Sequence, residues 1–179
     1  MPIASPRRIV KDKRASENVN TLVVFHREGA ITVERCFFCD RLTSVEDWES
    51  SLIYEDDLVH VTHQIDPEGP SYLGAVLIQT KRHTESGLAE LTNAEGQRIG
   101  LLVAEISRAL KELVGAAWTY TYCFNERFRH VHQFVFARYP DMPTEYVRLR
   151  VNEWKQAPRG SREQIAHLTR QLRERLSVR

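Results

Sequence analysis

Between residues 130 and 136 the chain reads His130-Val131-His132-Gln133-Phe134-Val135-Phe136. Its aromatic and β-branched content favours a strand, and strand side chains alternate between faces with a period of two. On that pattern His130, His132 and Phe134 share one face, and Val131, Gln133 and Val135 share the other. Two imidazoles side by side on a rigid strand are costly to bury without partners. They are useful if one binds a metal and the other attacks a phosphate or acyl group. A pair of satisfied, partly exposed strand histidines accounts for the same pattern.

A chain of 179 residues suits one domain with an ordinary core and room for tails. The net charge of +1 gives no bulk attraction to nucleic acid or a membrane surface, so neither is expected as a partner. No apolar run approaches the roughly 20 residues needed to span a bilayer. Met1 to Lys13 carries basic residues with no apolar stretch behind them, unlike a secretory signal. Three cysteines in a chain this long do not make a disulfide framework, and a reduced, cytoplasmic setting is the expectation.

Residues 1–20 are polar and read as a tail. Leu22–Phe25 and Ile31–Val33 flank a hairpin with Gly29 in its turn. Leu52–Tyr54, Leu58–Thr62 and Ala75–Gln79 are short strand candidates, with Pro67, Gly69 and Pro70 punctuating the loop before the last. His60 and His63 are expected at a strand edge or on the surface, on opposite faces.

The clearest helix begins at Thr92, which forms a capping-box pattern with Glu95. Ile99, Leu102, Val103, Ile106, Leu110 and Leu113 recur at helical spacing, and Gly115 marks the stop. Tyr120–Phe124 and the segment from His130 read as consecutive antiparallel strands. A second helix is expected from Ser161, with Ile165, Leu168, Leu172 and Leu176 as a packing or dimer stripe. Strands, one long helix and more strands argue for an α+β domain on an antiparallel sheet. The chain divides into the tail, a domain over residues 21–146 and a C-terminal extension over 147–179 bearing the second helix.

Cys36 and Cys39 have the two-residue spacing that lets both thiolates reach one zinc ion. Half of a tetrahedral site is then missing, and His83 and His130 are the best candidates to complete it. Two free cysteines beside unrelated histidines fit the spacing equally well.

Cys36-Phe-Phe-Cys39, Gln79-Thr-Lys-Arg-His83, the helix from Thr92 and His130-Val-His132-Gln-Phe134 occur in that order. This set resembles the histidine triad family of nucleotide hydrolases and transferases, over about residues 35–146. The resemblance implies a five-stranded antiparallel sheet with helices, a homodimer, and one structural zinc per chain on Cys36, Cys39, His83 and His130. It implies that His132 is the nucleophile, attacking the α-phosphorus of a nucleoside phosphate derivative such as a dinucleoside polyphosphate or nucleoside phosphoramidate. Water then releases a nucleotidyl-histidine intermediate. Asn125 would contact phosphate, and the ribose-binding carboxylate would be replaced by Gln64 or supplied by Asp66.

The departures are specific. The third motif position, which polarises phosphate or assists the leaving group, is Phe134, which has neither donor nor proton. Gln133 is one residue early and points to the opposite face. Arg129, with Arg127 and Arg138, lies near enough to supply cationic contacts to phosphate, although solvated charge is the plainer reading of any one of them. Phe134 leaves open a nucleotide-binding module or an enzyme with weakened or altered chemistry.

Overall fold

The structure, a computed structural model, describes residues 20–26, 29–43 and 50–177. The residues expected to form the tail lie outside these, apart from Asn20. The expected hairpin is present as β1 (Asn20–His26) and β2 (Gly29–Arg35), paired antiparallel. Gly29 opens β2 opposite His26. The short helix α1 (Phe37–Thr43) follows at once.

The body of the fold is a five-stranded antiparallel sheet, as expected. Its strands are β3 (Leu52–Glu55), β4 (Val59–His63), β6 (Ala75–Thr80), β7 (Trp118–Tyr122) and β8 (His132–Arg138), in the order β3-β4-β6-β8-β7. A two-stranded pair, β5 (Ser71–Tyr72) with β9 (Arg159–Gly160), ties the C-terminal segment to the loop before β6.

Register assigns the faces. His132, Phe134 and Phe136 lie opposite Gln79, Leu77 and Ala75, and His60 and Thr62 lie opposite Gln79 and Leu77. Paired residues share a face, so these side chains form one surface of the sheet. The other surface carries Val59, Val61, Val76, Ile78, Val131 and Val135, which join the main core.

That core is covered by two helices. The helix α2 (Asn93–Val114) packs on β7 and β8, and α3 (Arg162–Ser177) packs on β3. α2 begins where the sequence places it. Thr92 Oγ1 accepts from the Glu95 amide, and the Glu95 carboxylate accepts from the Thr92 amide. Gly115 closes the helix at φ 69°, a left-handed conformation that costs glycine little. In α3, Ile165, Leu168, Leu172 and Leu176 are buried, so the stripe is a packing surface. No helix among the described residues is long and apolar enough to cross a membrane.

Two expectations are corrected. The strand expected from His130 begins at His132, because the His130 amide turns back to the Phe128 carbonyl and the Val131 backbone bonds Thr80 and Thr84 instead. The Val131 amide donates to Thr84 Oγ1, and the Val131 carbonyl accepts from the Thr80 amide. His60 and His63 are buried on β4, an interior strand; they do lie on opposite faces.

His63 braces the loop that follows it. Its Nδ1–H donates to the Gln64 carbonyl at 2.8 Å, and its Nε2 accepts from the Gly74 amide at 3.1 Å. Gly74 itself sits at φ 77°, where an added Cβ would lie 2.8 Å from Ala137 Cβ. Burial pushes the His63 imidazole down to about 4, against the bond to the Gln64 carbonyl, which favours the charged form. The unfolded chain binds a proton near pH 6.5 and the folded chain does not, so this group's stabilisation is complete above that pH. It is lost as the pH falls towards 4, and amounts to roughly 3 kcal/mol over the window. Urea unfolding of wild type and His63→Gln across pH 4–7.5 measures it. The stability difference between the two proteins should narrow on acidification; a difference independent of pH would refute this role.

Candidate metal centre and active site

Three segments distant in sequence converge at one end of the sheet. Cys36 and Cys39 come from the start of α1, His83 from the segment after β6, and His130 from the loop before β8. Their donor atoms all lie within 4.8 Å of one another. Nδ1 of His130 is 3.4 Å from Cys36 Sγ and 3.5 Å from Cys39 Sγ, and Nδ1 of His83 is 3.5 Å from Cys39 Sγ. A tetrahedral ion with zinc-like bond lengths sets sulfur and nitrogen ligands about 3.5 Å apart, so the donor set fits a divalent, thiolate-tolerant cation.

Two further features favour ligation. His130 Nε2–H donates to the Thr80 carbonyl at 2.7 Å, which leaves the Nδ1 lone pair pointing into the cluster. Burial and then the adjacent Cys36 thiol push the Cys39 thiol up to about 12, so Cys39 needs a cation to become thiolate. The segment carrying His83 is itself clamped. Arg82 bonds both Glu95 carboxylate oxygens, at 3.1 and 2.8 Å, and the Glu90 carbonyl. That guanidinium, more than any other partner, pulls the Glu95 carboxyl down to about 2.

His132 is the first residue of β8 and is nearly inaccessible. Its Nδ1–H donates to the His130 carbonyl at 2.7 Å, which fixes the tautomer and leaves Nε2 with its lone pair. Burial lowers its basicity, so the imidazole is neutral near pH 7. The ring is held in place: Phe38 stacks on it with centroids 4.2 Å apart, and Phe134 meets it edge-on at 5.7 Å. Phe134 therefore sits beside His132 as an apolar wall.

Asn125 is brought to His132, where its Oδ1 accepts from the His132 amide at 3.3 Å and its Nδ2 donates to Cys123 Sγ. Asn125 and Arg129 line a cleft of about 700 Å³ with Ser86, Gly87, Cys123 and Phe124. Gln64 and Asp66 lie elsewhere. They line a second cleft of about 240 Å³ with Tyr72, Phe136, Asn152 and Arg159, near the far end of β8. Phe136 lies four steps along the strand from His132, about 13 Å. Arg127 lies over the Phe128 ring, and Arg138 ends β8 away from His132.

Sequence reasoning missed three residues of this site. Phe38 was legible only as the filling of a Cys-x-x-Cys pair, and Gln79 only as a polar residue closing an apolar strand. Asn152 belongs to the C-terminal extension, and nothing in its spacing ties it to Gln64.

Solved structures share this fold. A zinc-bound histidine triad family protein from Mycobacterium smegmatis superposes with a TM-score of 0.56 at 21% identity, covering 79% of this chain and 95% of that one. A hypothetical histidine triad nucleotide-binding protein from Sulfolobus tokodaii gives 0.57 at 19%, covering 79% and 92%. A histidine triad protein from Bradyrhizobium japonicum gives 0.55 at 16%, covering 75% and 93%. The chain has a histidine-triad-like fold. No protein-family model and no curated protein matches the sequence.

Proposed function

We propose that this protein is a histidine-triad-like enzyme that cleaves a nucleoside phosphate derivative through a nucleotidyl-His132 intermediate. The observation that carries the reading is the state of His132: neutral, Nδ1–H committed to a carbonyl, Nε2 free, and the ring wedged between Phe38 and Phe134. Nε2 attacks phosphorus and the leaving group departs with the bonding pair. Water then displaces the nucleotide and returns the imidazole.

The other residues take roles along the sheet face. Asn125 holds the His132 backbone and retains an N–H for a phosphoryl oxygen, and Arg129 supplies positive charge in the adjoining cleft. With phosphorus at His132, the nucleoside extends towards Gln64 and Asp66. Zinc occupies the Cys36, Cys39, His83 and His130 cluster as a structural ion, holding α1 so that Phe38 stays on the imidazole. The protein works as a homodimer in the cytoplasm. β7 is an edge strand of the sheet, and its Trp118, 69% exposed, offers apolar surface to a second copy.

Incubation with nucleoside 5′-p-nitrophenyl phosphates, acid quenching and mass spectrometry of the His132 peptide tests the central step. A nucleotidyl mass on His132 is expected. Cleavage with the adduct on another residue, or with none, refutes it. Phe134 favours one second reading, a nucleotide-binding module without turnover. Nucleotide binding with no cleavage, unchanged in Phe134→His, would establish that instead.

A further inference from the structure

The sheet register sets Gln79 of β6 directly opposite His132 and on the same face. Gln79 is 1% exposed. Its Nε2 donates to the Phe38 carbonyl at 3.3 Å, which fixes the carboxamide, because the flipped amide would set two oxygens against each other. The Oε1 that results is buried and meets no hydrogen-bond donor among the described residues. A buried acceptor left in that state destabilises the fold, and leucine or methionine would fill the position without that penalty.

The surroundings of His132 make the carboxamide distinctive. One face of the imidazole is covered by Phe38, and the next position along β8 on this face is Phe134. Phe134 lies opposite Leu77, so the row beside the nucleophile's is apolar on both strands. In the nucleophile's own row the neighbouring side chain on β6 is Gln79. The third motif position, the usual place for a polar group, has none; a polar group stands one strand away.

Gln79 Oε1 can only accept a hydrogen bond. A phosphoryl oxygen offers no proton to it, whereas a water molecule does. We propose that Gln79 orients the water that hydrolyses the His132 adduct, its Oε1 accepting one of the water's O–H groups. This rests on the reading of His132 as the nucleophile. In the step, a lone pair of the water oxygen forms the new P–O bond, and the P–Nε2 bond breaks with its pair returning to the imidazole. The water's proton passes to solvent, and the nucleotide leaves as its monophosphate. Gln79 gains and loses no proton. It confines the attacking oxygen to a productive position, as a water-orienting glutamine does in phosphoryl hydrolysis elsewhere.

The test separates the two half-reactions. Gln79→Met nearly conserves volume, and Gln79→Leu is the alternative if it unfolds. Each variant is mixed with nucleoside 5′-p-nitrophenyl phosphates; nitrophenol is followed through the first and later turnovers, and His132 is analysed by mass after quenching. The expected result is a first-turnover release within about threefold of wild type, followed by a steady state slower by about a hundredfold. The nucleotidyl adduct should then accumulate to nearly one per site.

Unchanged steady-state turnover overturns the proposal. So does an equal loss in the first turnover, because that pattern means Gln79 only anchors the Phe38 carbonyl. Failure of the nucleophile reading looks different: no adduct forms in wild type or variant, and both proposals fall together.

Discussion

His132→Ala lowers turnover of any nucleotide substrate of the wild-type protein by at least about a thousandfold. The size follows from losing both the nucleophile and the two-step route, while nucleotide-binding groups outside the ring stay in place. Ground-state affinity should therefore change little, and the loss should fall on kcat. Several structural bonds at this position are made by the backbone: the His132 amide donates to Asn125, and β8 keeps its register with β6 and β7. The variant should fold. The Phe38 ring then faces a cavity, so His132→Gln is the paired control that fills it. Steady-state kinetics on both variants, with affinity measured by titration, decides the matter. Turnover within a few-fold of wild type in both would mean that the reactive group lies elsewhere.

The second large effect belongs to the metal cluster. Cys36→Ser/Cys39→Ser should abolish metal binding, measured as zinc per chain in protein purified without a histidine tag; about one is expected for wild type. The four ligands join segments that are 44 and 94 residues apart in sequence. Loss of a bound ion would release α1 from the end of the sheet. A cost of about 3 kcal/mol, or more, corresponds to a fall in Tm of roughly 6–12 °C for a chain of this size. Activity should fall as well, because Phe38 lies between the two cysteines and its ring stacks on His132 at 4.2 Å. Chelation of the wild-type protein should reproduce both losses, and added zinc should reverse them. Full zinc occupancy in the double variant would exclude the site.

Local chemistry was the legible part. Thr92, Glu95 and Gly115 bound α2 because a capping box and a left-handed glycine are written in a few adjacent residues. Ile165, Leu168, Leu172 and Leu176 marked α3 because helical periodicity repeats one face. Ordered motifs also pointed to the cluster, since thiolate spacing and imidazole positions restrict which residues can share an ion. The misplaced start of β8 had a different origin. Alternation describes side chains, and the backbone of Val131 was taken by Thr80 and Thr84, 51 and 47 residues away. His63 looked like a surface residue because a histidine at a strand end has no signature of burial. Its brace depends on Gly74, beyond the following loop.

By itself the sequence determined the α+β class, the bounds of α2, the start and buried stripe of α3, the order of the motifs and the residues able to hold a metal. All of these follow from short-range propensity or from the chemistry of individual side chains. Only the tertiary structure decided what surrounds His132. Stacking by Phe38, the fixed Nδ1–H, the apolar wall of Phe134 and the neighbouring Gln79 depend on strand order and register. Register is set by the packing of the whole sheet, a long-range sum that no single stretch of the chain contains.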